Sequence, residues 1–289
     1  MIHRNLFVIW ILVAGFFNAT YAQTSVVTTA CYRGTVGNYS IAMQLRQQRG
    51  NDTLTGSYYY LRSGREKSIH LNGVSRYPTT LAEKVTVEKN GKYVWDTTGH
   101  FSVTAPSLAT GKLSGSWKSG KTGKQLPVQL QLLAKAEDAP LFYDYELVMH
   151  QEKVTHLSQA EQIMTKVTAL KIIQEGKVLQ TLSGFNEFVG TYPEVELEDI
   201  NFDGHFDIKI PIAFPDRTKY DGSFLYFIYN PSIQKFIRHQ QLIDLEYLFF
   251  DPVKKEMYRY DQGPEGFVIN CYKWRANEVY LHRTEKMEE

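Results

Sequence analysis

Three oxygen-bearing side chains alternate along Asp199-Ile200-Asn201-Phe202-Asp203, Gly204 and His205 follow, and Asp207 closes the run. That order suits calcium, a hard cation that takes about six to eight oxygen ligands. Alternate residues of an extended segment point the same way, so Asp199, Asn201 and Asp203 converge. Gly204 permits a sharp turn, His205 contributes its main-chain carbonyl, and Asp207 supplies a further carboxylate. The expected metal ligands are therefore Asp199, Asn201, Asp203, His205 and Asp207, and the expected cofactor is calcium. A longer loop closed by a bidentate glutamate is excluded, because Ile210 stands where that glutamate belongs. A polar turn draws on the same residue types, but four acids or amides at this spacing exceed what a turn needs.

The rest of the chain offers little reactive chemistry. Glu194, Glu196 and Glu198 share one face of an alternating segment, with Val195 and Leu197 on the other. Paired carboxylates can serve acid–base catalysis, but a solvated or calcium-facing acidic edge has the same spacing and is the reading adopted. Gly115-Ser116-Trp117-Lys118-Ser119-Gly120-Lys121-Thr122 fits the phosphate-loop pattern letter for letter. That motif works only where a helix N-terminus follows and aims its N–H groups at phosphate. Gly123 to Pro127 suppresses a helix, so a hairpin turn is expected here. The histidines are scattered without the spacing of a zinc site, and no nucleophile elbow is present. No catalytic residue is assigned, and the chain is read as a binding protein and not an enzyme.

Strands must position these residues. Nineteen tyrosines and sixteen phenylalanines, placed in alternating patterns, favour β-structure. Tyr39, Ile41, Met43 and Leu45 share a face, as do Leu54, Tyr58 and Tyr60, and later Val128, Leu130 and Leu132, with turn residues in nearly every gap. About seven or eight such strands imply an antiparallel β-barrel or meander over residues 23–134, with Tyr58, Tyr60 and Trp117 in its core. Residues 135–142 read as a linker. Residues 143–289 read as a second antiparallel β-rich domain that carries the calcium loop. There, Gln174-Glu175-Gly176-Lys177 turns a hairpin between Ala169–Ile173 and Val178–Leu182. Ser158 to Met164, with Ser158 as N-cap and Glu161 three residues on, predicts a short helix. The fold class expected is mainly β.

The N-terminus indicates the compartment. His3 and Arg4 precede an apolar run from Leu6 to Phe17, shorter than the roughly 20 residues a membrane span requires. Thr20-Tyr21-Ala22 then offers small residues for cleavage, so residues 1–22 read as a signal peptide and the protein as periplasmic or secreted. No later stretch is apolar enough for a transmembrane segment. Thirty-two basic residues balance thirty-one acidic ones, which gives no bias toward nucleic acid. Cys31 and Cys271 fit a bridge between the two halves and two separate thiols equally well.

The C-terminal half also carries a resemblance. Ile172-Ile173 to Leu182, the Asp199–Asp207 loop, Tyr226-Phe227-Ile228-Tyr229-Asn230-Pro231, Phe250-Asp251-Pro252 with Lys255-Glu256-Met257, and Tyr272-Lys273-Trp274 with Glu278-Val279-Tyr280-Leu281 occur in that order. The loop resembles the short calcium loops of integrin-type β-propellers. The ensemble, across roughly residues 143 to 285, resembles bacterial periplasmic calcium-loop immunity proteins that inhibit lysozyme-like, peptidoglycan-cleaving effectors. The resemblance implies a non-enzymatic inhibitor whose partner is a peptidoglycan hydrolase. Two other readings use the same parts: a carbohydrate- or cell-envelope-binding module that takes cell-wall glycan on exposed aromatics, and a hydrolase whose acids converge near Glu196.

Overall fold

The computed structural model describes residues 20–21, 24–89, 91–104, 111–155, 161–190, 192–215, 222–264 and 266–287. A two-residue strand β1 (Thr20–Tyr21) precedes β2 (Ser25–Val36), β3 (Tyr39–Gln48), β4 (Thr53–Tyr60), β5 (Ile69–Val74), β6 (Thr79–Lys89), β7 (Lys92–Val103), β8 (Lys112–Ser119) and β9 (Gln125–Leu132). From β2 to β9 each strand pairs antiparallel with the next, and β9 returns to β2 from Tyr32↔Leu132 to Val36↔Val128. The result is a closed eight-stranded barrel. Period-2 alternation builds it: on β9, Val128, Leu130 and Leu132 are buried while Gln125, Gln129 and Gln131 are exposed. A barrel of this size is just wide enough for side chains to fill, and Tyr32, Tyr58, Phe101, Ile41, Leu45 and Leu71 fill it. Closure requires backbones to approach closely at Gly34 of β2, where a Cβ would lie 1.9 Å from the Gln129 carbonyl oxygen.

One carboxylate enters this apolar interior. A register shift between β6 and β7 falls at Glu83, as β-bulges often do where a side chain is re-aimed. Glu83 is buried. It accepts hydrogen bonds from the Tyr58 hydroxyl, from Trp117 Nε1 at 2.5 Å and from Thr98 Oγ1 at 2.9 Å. Three donors satisfy a group that would otherwise be costly to bury.

The second half adds β10 (Asp144–Thr155), β11 (Glu161–Gln174), β12 (Lys177–Val189), β13 (Glu194–Glu198), β14 (Asp207–Pro211), β15 (Phe224–Asn230), β16 (Lys235–Arg238), α1 (Gln240–Asp244), β17 (Phe249–Asp251), β18 (Glu256–Gly263), β19 (Gly266–Arg275) and β20 (Glu278–Lys286). β10 to β12 form a meander with β1 on its edge, and β17 to β20 form another antiparallel sheet. β13 to β16 instead extend the barrel sheet, because β13 pairs parallel with the first half of β2 from Glu194↔Ser25 to Leu197↔Thr28. One edge of β2 pairs with β3 along its length, and the other edge serves two partners, β13 near its start and β9 near its end. One core lies between the β10–β12 meander and β13–β16. Another gathers Ile200, Phe202, Leu242, Phe250 and Met257 under α1 and β17–β20.

One expectation is corrected, and one open choice is settled. Glu161 to Met164 belong to β11, paired with Thr155 to Glu152 of β10, and not to a helix; Ser158 lies outside the described residues. The cap-like spacing of Ser158 and Glu161 is overridden because β10 offers a full ladder of strand partners, and the one described α-helix is Gln240–Asp244. Cys31 and Cys271 are both free thiols, which settles the choice left open between a bridge and separate cysteines. The signal peptide and its cleavage point after Ala22 lie outside the described residues apart from Thr20 and Tyr21, which pair with Met149 and Val148. No helix among the described residues is long and apolar enough to cross a membrane.

Candidate functional site

The 199–206 connection joins β13 to β14, whose pairing begins at Glu198↔Asp207. Its apolar residues anchor it: Ile200 and Phe202 enter the core under α1, and Phe206 enters the core beneath the meander. Alternation leaves Asp199, Asn201 and Asp203 on the opposite side. Phe202 holds a φ of 61° and Gly204 a φ of 89°. The left-handed backbone at Phe202 is uncommon for a bulky residue and persists because its surroundings hold it.

Asp199, Asn201 and Asp203 form one hydrogen-bonded group. The Asp203 N–H donates to Asp199 Oδ1 and to Asn201 Oδ1, each at 3.1 Å, and Asn201 Nδ2 donates to Asp203 Oδ2 at 2.9 Å. The Gly204 N–H donates to Asp199 Oδ2 at 3.1 Å, and the His205 N–H to Asp203 Oδ1 at 2.8 Å. Burial pushes the Asp199 carboxyl up to about 7, and the charge of Asp203 beside it acts in the same direction. Asp207 is fully buried and faces inward. Its Oδ2 accepts from the N–H groups of Ile200 at 2.8 Å and Asn201 at 3.3 Å, and its Oδ1 from Tyr229 of β15 at 2.8 Å. Burial raises its pKa well above the usual carboxylate range, against the pull of those N–H donors.

His205 and the linker lock the loop from a second direction. His205 Nδ1 lies 2.8 Å from Asp138 Oδ1, the Phe206 N–H donates to Asp138 Oδ2 at 2.6 Å, and Lys135 Nζ lies 2.9 Å from His205 Nε2. Lys255 Nζ donates to the Phe202 carbonyl and Trp274 Nε1 to the Ile200 carbonyl, both at 3.2 Å. Asp138 and Trp274 lie far from the loop in sequence, and no local pattern marks them as its supports.

Asp199, Asn201 and Asp203 carry oxygens of the hard-ligand kind that calcium takes, and all three are engaged in the hydrogen bonds of the loop. Among the described residues, no lysine or arginine forms an ion pair with Asp199, Asp203 or Asp207, and no set of three or more His, Cys, Asp or Glu side chains is gathered as a metal site. The structure thus brings Asp199, Asn201 and Asp203 together and assigns the Asp207 oxygens to backbone N–H groups. The ring of His205 meets Asp138 and Lys135, contacts that leave its main-chain carbonyl, the expected ligand atom, uninvolved.

Beside the loop, the acidic face of β13 meets the barrel. The predicted orientation of Val195 and Leu197 is correct: both are in the core. The expectation of a solvated or calcium-facing edge is not, since Glu196 and Glu198 are buried and ion-paired. Lys209 Nζ lies 2.6 Å from Glu198 Oε2 and 3.3 Å from Glu196 Oε2. Arg46 Nη2 lies 2.8 Å from both Glu194 Oε2 and Glu196 Oε1, and Gln44 Nε2 donates to Glu198 Oε1 at 3.0 Å. Gln44 and Arg46 face outward from β3 because Met43 and Leu45 face the barrel interior. Burial disfavours the charged Lys209 ammonium, but Glu198 and Glu196 outweigh it and raise its pKa. The phosphate-loop lookalike runs from the second half of β8 into the turn before β9, and Gln125 begins a strand where a helix would be needed.

No family model matches the chain, and no curated protein matches it. A crystal structure of a 6-phosphogluconolactonase candidate from Bacteroides uniformis is similar at a TM-score of 0.23 and 10% identity, covering 89% of this chain and 82% of that one.

Proposed function

We propose that this chain is an exported, non-enzymatic binding protein, braced by a calcium ion on the 199–207 loop, and that it inhibits a lysozyme-like peptidoglycan hydrolase. The observation that carries the choice of binding over catalysis is the pairing of Glu196 and Glu198. Two catalytic carboxylates need environments that set a proton donor apart from an acceptor. Here both spend their oxygens on Lys209, Arg46 and Gln44, in similar surroundings. The target follows from the resemblance of residues 143–285 to periplasmic immunity proteins, and removal of Met1 to Ala22 on export belongs to the same reading.

An inhibitor gains affinity from a surface that is ordered before binding. The loop is tied to Asp138, Tyr229 and Trp274, and calcium held by Asp199, Asn201 and Asp203 would neutralise the carboxylate charge that those ties leave. The test is a panel of lysozyme-type hydrolases and transglycosylases digesting purified cell walls, with and without the protein. Loss of turnover at a 1:1 ratio, relieved by chelator, is expected for at least one enzyme. Unchanged turnover across the panel would refute inhibition.

A further inference from the structure

We propose that the cleft between the outer wall of the barrel and β17 is a binding site for a neutral saccharide. The inference stands independently of hydrolase inhibition. The cleft has a volume of about 260 Å³, and its floor carries Gln44, Arg46, Glu196, Glu198 and Lys209. A narrower cavity continues from it toward Asp251, sharing Gln44, Ser57, Arg65 and Phe250 as lining. Thr55 and Ser57, which face outward from β4 because Leu54 and Tyr58 face the barrel interior, also line the cleft.

The charge inventory selects the ligand. Arg46 and Lys209 are paired with Glu194, Glu196 and Glu198, and Arg65 donates to the Phe250 carbonyl at 2.5 Å and lies over the Tyr258 ring at 4.7 Å. An anion would find Arg46 and Lys209 paired and Arg65 engaged by a carbonyl and a ring, and a cation would find Glu196 and Glu198 paired, so either would have to displace contacts already made, among them the buried pairs of Lys209. A ligand with many hydroxyls and no charge displaces nothing. It can use the guanidinium edge of Arg46 that its Nη2 pairings leave open, a planar donor set suited to paired acceptors.

The banks are aromatic. Phe249 is 44% exposed; its ring stacks on Tyr258 at 5.3 Å and meets Tyr260 edge-on at 5.8 Å. On the other bank His70 lies against Trp95, 5.3 Å between ring centroids, and Trp95 is 60% exposed. Rings fixed by their neighbours offer apolar area with little ordering cost, which suits the C–H face of a sugar. Concave sites with apolar walls and a few placed polar groups are the usual form of small-ligand sites.

The experiment titrates the intact protein with chitohexaose, cellohexaose and maltohexaose as neutral probes, and with polygalacturonate and a chitosan oligomer as charged ones, read by calorimetry and tryptophan fluorescence. At least one neutral probe should bind. Phe249→Ala should weaken it about tenfold or more, with an unchanged melting temperature and unchanged hydrolase inhibition. If Phe249→Ala fails to fold, His70→Ala on the opposite bank serves instead. No binding of any neutral probe at millimolar concentration, tighter binding of a charged probe, or affinity unaffected by the substitution would overturn the proposal. Saccharide binding without inhibition, or inhibition without saccharide binding, separates its fate from that of the inhibitor reading.

Discussion

Asp203 and Asp207 carry the same side chain four positions apart and do different things. Asp203 accepts one backbone N–H from His205 and the amide of Asn201 and stays exposed. Asp207 is fully buried and holds three backbone N–H groups. Stranding buried donors costs about 1–3 kcal/mol each before any relaxation. Asp207→Ala should therefore destabilise the protein by on the order of 3 kcal/mol in urea unfolding even in excess chelator. Asp203→Ala should leave chelator-treated stability within about 0.5 kcal/mol but remove the rise in melting temperature on adding calcium, which arises by ligand linkage. Equal losses for both variants in chelator would contradict this division of labour. The sequence exposes the loop because its oxygens alternate within a few residues. It conceals that the carboxylate of Asp207 serves Tyr229 and that Asp138 receives His205 and Phe206, since these partnerships depend on how distant strands pack.

Strands tell a similar story one level up. The barrel is legible because two-residue alternation recurs along the chain between turn residues, most clearly on β9, where every second residue from Val128 is buried. The helix assigned to Ser158–Met164 was misplaced, because capping spacing is a local signal and β10 supplies a competing ladder as far as Thr155↔Glu161. The burial of Glu83 was illegible, since it turns on one register shift between β6 and β7. Gly34 tests how tightly closure is specified. A Cβ there would lie 1.9 Å from the Gln129 carbonyl oxygen and 2.8 Å from Leu130 Cα, both backbone atoms that cannot swing aside. Gly34→Val should separate β2 from β9 and leave little folded protein at 37 °C, seen as loss of the cooperative circular-dichroism transition, with an expected cost above about 4 kcal/mol. A variant that melts within a few degrees of the parent would show that the seam is looser than its geometry.

Across the whole molecule, the separation into a barrel and a second β-rich part is crossed at β2. Its residues from Tyr32 to Val36 pair with β9, and those from Ser25 to Thr28 pair with β13. The ion pairs of Arg46 with Glu194 and Glu196 cross the same boundary. Halves that share a strand should lose structure together. Trp117 reports on the barrel and Trp274 on the sheet behind the loop. Single-tryptophan variants that keep one or the other should give coincident unfolding midpoints in denaturant. Midpoints that differ beyond error would mean that the β2–β13 seam opens before the barrel does.

The shared strand also imposes a calendar. A polypeptide emerges N-terminus first, so the barrel can close as soon as β9 is made, while Ser25–Thr28 remains an unclaimed edge until β13 follows much later. An exposed edge is a template for a neighbouring chain. A ribosome that stops between Leu132 and Glu194 would thus release a product that has a finished barrel and an adhesive rim.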